Sequence, residues 1–171
     1  MKSPFQYCPD CGASDPCFRG DKEVLCSRCG FRYFHNVAAA VGVFIRCGDD
    51  YLFAVRGREP DCGKLDLPGG FSEPGESLEQ GLTREIQEEL GLALPAPRYL
   101  FSFPNIYLFE GVSYCTVDAL FEVAYREKPV VVPADDVADI RWLALADIEP
   151  AQIAFSSIRK AIARLRHKPS A

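Results

Sequence analysis

GFSEPGESLEQGLTREIQEELGL, residues 70–92, is the most informative segment of this 171-residue chain. Ser77 to Leu90 reads as a helix, with Glu73-Pro74-Gly75-Glu76 ahead of it and Gly91 as a natural stop. At about 100° per residue, Leu78, Leu82 and Ile86 fall on one stripe, with Leu90 at its edge. Glu85 and Glu89 lie about 40° apart beside that stripe, and Glu88 sits on the outer side of Glu85. Like charges four residues apart cost a few tenths of a kcal/mol. Near the carboxyl end of a helix they also face the wrong pole of its dipole. Fold stability gives no reason for three acids at the border of core and solvent. A hard divalent cation gives one, because Mg²⁺ takes oxygen ligands and shares itself between carboxylates and phosphates. Arg84 can hold one carboxylate in a fixed orientation. Gly69-Gly70 lets the backbone approach the same place and can offer a carbonyl. A solvated charged helix is the competing reading of such a run of acids.

Strands surround this helix. Val37 to Arg46 is apolar and β-branched enough for a buried strand, and Tyr51 to Arg56 follows across the turn Cys47-Gly48-Asp49-Asp50. Leu65 to Leu67 is a short extended piece ending at Pro68-Gly69-Gly70. Two longer strands are expected at Tyr99–Phe109 and Val112–Tyr125, turning at Glu110-Gly111. Ile140 to Leu143 is a further strand, and Ser156 to Arg166 a closing helix. Strands mixed with two helices indicate an α+β or α/β sandwich. The basic residues Arg159, Lys160, Arg164, Arg166 and Lys168 suit the carboxyl end of that last helix.

The amino end has a different logic. Four of the eight cysteines form Cys8-Pro9-Asp10-Cys11-Gly12 and Cys26-Ser27-Arg28-Cys29-Gly30, a C-x2-C-x14-C-x2-C spacing. Two residues between cysteines let both thiolates of a tight turn reach one ion, and the following Gly permits a left-handed backbone. Two such turns supply the closed four-thiolate shell of a structural zinc ribbon. Two disulfides or four unrelated thiols are the alternatives. A segment this small has little core, so the metal would supply much of its folding energy. Cys17, Cys47, Cys62 and Cys115 show no pattern, and His35 reads as an ordinary turn residue.

Composition sets limits. The chain is 48% hydrophobic and 25% charged, which excludes intrinsic disorder, a collagen-like repeat or a coiled coil. Its longest apolar run, Val37 to Ile45, falls well short of the ~20 residues of a membrane span. No apolar stretch of signal-peptide length follows Met1, so a cytoplasmic setting without membrane attachment is expected. The net charge of −5 divides into +1 over residues 1–36 and −6 over the remainder. An acidic main domain speaks against nucleic acid as a partner, although a metal or local Arg residues would still allow it to handle phosphates.

The segment 70–92 also matches a known motif. Gly70, Glu76, Arg84, Glu85, Ile86, Glu88, Glu89, Gly91 and Leu92 fill every specified position of the Nudix box, G-x5-E-x7-R-E-U-x-E-E-x-G-U, where U is aliphatic. The chain therefore resembles the Nudix hydrolases, and its strand and helix order is similar to theirs from about Val37 onward. The resemblance implies an αβα sandwich with a mixed sheet over residues 35–171, preceded by a zinc ribbon over 1–34. It implies Mg²⁺ or Mn²⁺ held by Glu85, Glu88 and Glu89, with Glu85 also able to serve in base activation. Glu76 and Arg84 would support them, and Gly70 would contribute loop geometry or a carbonyl. The implied reaction is hydrolysis of a nucleoside diphosphate linked to another group, such as NADH, ADP-ribose, FAD or a nucleotide sugar, releasing a mononucleotide. Metal ions would neutralise the diphosphate and activate water for attack on one phosphorus. Further acids for the base are Glu110, Asp135 and Asp136, each read first as a solvated loop residue.

A four-cysteine ribbon before such a domain is similar to the NADH pyrophosphatase branch. That branch carries SQPWPFPxS after the box, whereas this chain has Ser102-Phe103-Pro104-Asn105-Ile106-Tyr107 and keeps only S-x-P. Asn105 and Tyr107 are the residues expected to touch substrate there, and Arg56 and Arg58 are expected near its phosphates. The competing function is a non-catalytic module that senses nucleotides or binds nucleic acid through the ribbon. The family also allows a homodimer.

Overall fold

The computed structural model describes residues 3–109, 112–134 and 137–167. Glu110, Gly111, Asp135, Asp136 and Lys168 lie outside them. Three short strands, β1 (Cys17–Arg19), β2 (Glu23–Leu25) and β3 (Arg32–Phe34), make a small antiparallel sheet near the amino end. At three residues each they are too short for any periodicity to betray them. The main sheet begins with the expected hairpin, β4 (Ala38–Cys47) and β5 (Asp50–Arg56). It continues through β6 (Leu65–Asp66), helix α1 (Leu78–Leu90), β7 (Arg98–Phe109), β8 (Val112–Tyr125) and β9 (Val137–Ala144). Two 3₁₀ turns, Leu145–Asp147 and Pro150–Gln152, lead into α2 (Ser156–Arg166).

The strand order is β6-β5-β4-β8-β7, with β9 also paired to β5. β4 and β8 run parallel, and the other pairs are antiparallel. Alternation along the strands sorts the core onto two faces. Val41, Val43 and Ile45 of β4 meet Ala119, Phe121 and Val123 of β8 beneath Leu82, Ile86 and Leu90 of α1. Phe44, Phe53, Phe101 and Leu120 face the other way, under Ile158, Ala161 and Ile162 of α2. The result is the expected three-layer sandwich with a mixed sheet. Leu82, Ile86 and Leu90 are wholly buried, and burying each such side chain stabilises the fold by about 1.5–3 kcal/mol.

One irregularity positions everything that follows. β4 and β5 pair only beside their turn, from Ile45↔Leu52 to Cys47↔Asp50. Beyond that point β5 takes β6 as a partner, with β9 paired to it along its whole length, and the edge of β4 would lose its partners. The loop 68–72 takes them up instead. Val43 and Val41 donate to the carbonyls of Pro68 and Gly70 at 3.1 and 2.8 Å, and Ser72 donates to Ala39 at 3.1 Å. The splay leaves a gap between β4 and β5, and the glycine loop lies along one side of it.

Helix α1 is closed at both ends. Ser77 accepts from the Gln80 amide, and the Gln80 side chain accepts from the Ser77 amide, which is a capping box. Gly91 turns left-handed, with its amide on Gln87, and Leu92 then folds back into the core. The basic end of α2 is used inside the domain. Arg159 donates to the carbonyls of Ile153 and Ala154, Arg166 to those of Leu145 and Ile148, and Arg164 stacks over the Phe101 ring.

Candidate active site

The gap between β4 and β5 opens into a cleft of about 440 Å³. One wall is the glycine loop with α1 behind it. At Gly69 a Cβ would lie 2.1 Å from the Val41 carbonyl oxygen, so only glycine lets the loop lie this close to β4. The Gly69 amide then donates to Glu89 Oε2 at 2.8 Å. The Gly70 carbonyl, the expected oxygen donor, accepts from the Val41 amide. Over Gly70 lies the Glu85 carboxylate, whose atoms are only 2.5–2.7 Å from the place a Cβ would take there.

Arg84 organises the acids. Its guanidinium donates to both carboxylate oxygens of Glu76 at 2.8 and 3.1 Å. It also donates to Glu85 at 2.9 Å, to Glu88 at 3.1 Å and to the carbonyl of Phe71 at 3.0 Å. These bonds offset the repulsion among the carboxylates. They also hold Glu76 below the usual carboxylate range, with the Arg84 hydrogen bonds as the main cause and the Glu73 amide adding to it. Arg84 itself is pushed above its ordinary value, chiefly by Glu76.

Glu85, Glu89 and Gly70 line the cleft, and so do Arg56, Arg58, Asn105 and Tyr107. Glu88 is not among the lining residues and is 53% exposed. Among the described residues, the three glutamates do not bring their ligand atoms within 4.8 Å of one another. Their chemistry nevertheless fits a hard cation. All are oxygen donors, and Mg²⁺ typically binds through one or two carboxylates while keeping several waters.

The cleft is also lined by Phe71, Asp66, Asp118 and Phe155, which the sequence did not single out. Period-two alternation carries Phe101 and Phe103 into the α2 core and brings Asn105 and Tyr107, on the same face, into the cleft. Tyr107 packs edge-on to Phe71 at 5.5 Å and against Phe155 at 5.7 Å. Arg56 stacks over Phe155 at 4.9 Å, donates to the Pro60 carbonyl at 2.7 Å and pairs with Asp66 at 2.7 Å. Asp118 on β8 accepts from Thr116 at 2.6 Å and from Ser157 at 2.5 Å. Burial lifts Asp66 to about 6, although Arg56 pulls the other way; Asp118 adds to the rise. The available sequence signal was the doublet Ser156-Ser157, which ties the start of α2 to Asn105 and Asp118.

The glycine contact yields a prediction. Gly70→Ala is expected to leave the melting temperature nearly unchanged, because the end of a glutamate side chain can swing away from the new methyl group. Turnover should fall about 100-fold, the scale of a roughly 1 Å misplacement. Comparing kcat with a thermal melt separates the two, and an unchanged kcat would contradict it.

At the amino end, the sulfurs of Cys8, Cys11, Cys26 and Cys29 all lie within 4.8 Å of one another. The Cys8–Cys29 and Cys11–Cys26 separations are both 3.7 Å. Four thiolates around zinc with bonds of about 2.3 Å would stand about 3.8 Å apart, so the arrangement suits that ion. The two turns repeat each other. Gly12 and Gly30 take φ values of 69° and 77° and donate to Cys8 and Cys26, whose own amides donate to Ala13 and Phe31. Amides of Cys29 and Arg28 lower Cys26 to about 7 against the effect of burial.

The sandwich, the splayed hairpin and the glycine loop packed beneath a carboxylate-bearing helix define a Nudix architecture. The chain belongs to the NUDIX domain family, whose model matches residues 36–165. It is 27% identical over 167 residues to the NAD-capped RNA hydrolase NudC of Stutzerimonas stutzeri (strain A1501), covering 95% of this chain and 56% of that protein. The chain spans about half the length of the curated relatives it matches. Among solved structures, it resembles a MutT NUDIX hydrolase from Burkholderia pseudomallei (25% identity, TM-score 0.66, 76% of this chain and 98% of that one). A NUDIX hydrolase from Nitrosomonas europaea shares the fold at 24% identity and a TM-score of 0.64, covering 97% of this chain and 96% of its own. Among the described residues, no helix is long and apolar enough to cross a membrane.

Proposed function

We propose that this chain is a divalent-metal-dependent pyrophosphohydrolase. It would cleave the diphosphate of a nucleoside diphosphate joined to a second group and release a mononucleotide. The observation that carries this reading is one cleft lined both by Glu85 and Glu89 and by the aromatic side chains Phe71, Tyr107 and Phe155. Glu85, Glu88 and Glu89 are the residues that would hold Mg²⁺ or Mn²⁺, with the Gly70 carbonyl beside them. A bound divalent ion would supply positive charge to the diphosphate oxygens and make water at the site more acidic. Arg84 and Glu76 keep the carboxylates oriented, and the Gly69 amide fixes Glu89. Glu85 is the group we assign to take the proton from the attacking water. Tyr107 and Asn105 would contact the organic part of the substrate, and Arg58 a phosphate. Arg56, tied to Asp66 and Phe155, would act through the shape of the cleft as well as its charge.

Relatives named for NAD-capped RNA weigh against setting nucleic acid aside on net charge alone. The proposed substrate class therefore includes a dinucleotide at the end of an RNA chain as well as free NADH, ADP-ribose, FAD and nucleotide sugars. We further propose zinc in the four-cysteine site, a domain boundary near residues 34 and 35, and a cytoplasmic setting. A homodimer is proposed on the exposed apolar residues Ile106, Leu108 and Val117 along one face of β7 and β8, and sedimentation would test it.

The enzyme reading is tested by mononucleotide release from these substrates and from CoA and nucleoside triphosphates, with Mg²⁺ and with Mn²⁺. Turnover that stops with chelator and in Glu88→Gln is the expected result. Tight binding without turnover of any substrate would favour the non-catalytic module instead.

A further inference from the structure

Besides Glu85 and Glu89, the cleft is lined by two aspartates that the proposed hydrolysis does not use. They are Asp118 on β8 and Asp66 on β6. Each is held by donors from the protein: Asp118 by Thr116 and Ser157, Asp66 by Arg56 and the Leu67 amide at 2.8 Å. Thr116 and Ser157 are buried, and each directs its single hydroxyl proton at Asp118. A carboxylate offers about four lone-pair directions, so each aspartate retains acceptor capacity after these bonds. The cleft thus holds oriented acceptors besides the glutamates. The rings of Phe71, Tyr107 and Phe155 stand beside them, and Phe71 is 39% exposed.

Fold stability accounts for part of this arrangement only. Asp118 does tie α2 to β8 through Ser157. Asp66 in turn holds Arg56 at 2.7 Å, but neither role calls for the two half-buried carboxylates to line one cleft, where they repel each other. A flat ligand that stacks on the rings and donates N–H groups would relieve the repulsion and satisfy the acceptors together. A ring bearing only carbonyl or carboxylate oxygens at that edge would set acceptor against acceptor.

We propose that Asp118 and Asp66 form a specificity subsite for a planar ring carrying an exocyclic –NH₂ group, stacked on Phe71, Tyr107 and Phe155. The inference rests on the pyrophosphohydrolase reading only for the idea that this ring belongs to the substrate. Two sources share the chemistry, the amino group of a purine and the carboxamide of a pyridine ring. The subsite discriminates the amino member of each pair from its oxo counterpart.

The test is equilibrium binding of mononucleotide pairs to the full chain by calorimetry: AMP against IMP, and nicotinamide mononucleotide against nicotinic acid mononucleotide. At least a tenfold preference for the –NH₂ member of one pair is expected, and the pair that shows it names the source. The preference should fall below threefold in Asp118→Asn, where an amide N–H replaces an acceptor. Should that variant fail to fold for lack of its hydroxyl bonds, Asp66→Asn provides the same reading. Binding within twofold for both pairs, no binding of any member at millimolar concentration, or a preference untouched by the substitutions would overturn the proposal. Because binding is read without turnover, an inactive protein that keeps the preference would sink the hydrolase reading and leave this one standing.

Discussion

Glu85→Gln is expected to lower kcat by at least about 10³-fold while leaving the fold intact. The substitution is nearly isosteric, so the side chain still fits against Gly70 and Oε1 can still accept from Arg84. What disappears is the negative charge, and with it both a ligand for a hard cation and a site for the proton of the attacking water. Removing one such group commonly costs 10²–10⁴ in rate. Loss of both roles places the expectation in the upper part of that range. Arg84→Lys should behave differently. A single ammonium cannot reproduce bonds to Glu76, Glu85, Glu88 and the Phe71 carbonyl from one planar group. Its loss should raise the metal concentration needed for half-maximal rate as well as lowering kcat. Titrating Mg²⁺ and Mn²⁺ against initial rate in both variants separates the two effects. A Glu85→Gln protein within tenfold of wild-type kcat would refute the role assigned to that carboxylate.

Local pattern and tertiary accident divide what could be read from this sequence. The stripe Leu78, Leu82, Ile86 specified both the helix and the face it buries, because helical period alone settles that. Long apolar strands and the cysteine spacing were legible for the same reason. The sheet order was not, since pairing β4 in parallel with β8 is a contact between residues far apart in sequence. The splay of β4 from β5 was equally hidden, although it creates the cleft. It depends on loop 68–72 replacing a strand along β4, and the glycines hinted only that some close approach occurs there. Asp66 and Asp118 were invisible for a third reason. Each reads as an ordinary polar residue in a strand, and only burial and convergence give them meaning. Glu88 shows the reverse: the motif names it, but the protein leaves it half-exposed outside the cleft lining.

Removing the metal from the ribbon should have the largest effect on structure. Among the described residues 3–34, only Cys8, Pro16, Val24 and Cys26 are buried. The rings of Phe5, Phe18, Tyr33 and His35 pack on one another, but much of that layer faces solvent. Three strands of three residues cannot hold their shape on such a core. A structural zinc ion contributes about 10–16 kcal/mol of apparent binding energy in small finger peptides at neutral pH, and there that energy drives folding. Cys26→Ser, or a strong chelator, is therefore expected to unfold residues 3–34. The two clusters under α1 and α2 contain no ribbon residue and should survive. Elemental analysis should find one zinc per chain in the wild type and none in the variant. Limited proteolysis should then cut within the first 34 residues of the variant and leave a resistant fragment of the rest. If the metal-free chain resisted protease as well as the wild type, the sulfur cluster would be an ornament on a sheet stable without it, and the zinc proposal would fail. Hydrolysis of a small dinucleotide by the Cys26→Ser protein would show in addition whether the ribbon reaches the cleft. Among the described residues no ribbon side chain lines it, so retention of at least half the wild-type kcat is expected.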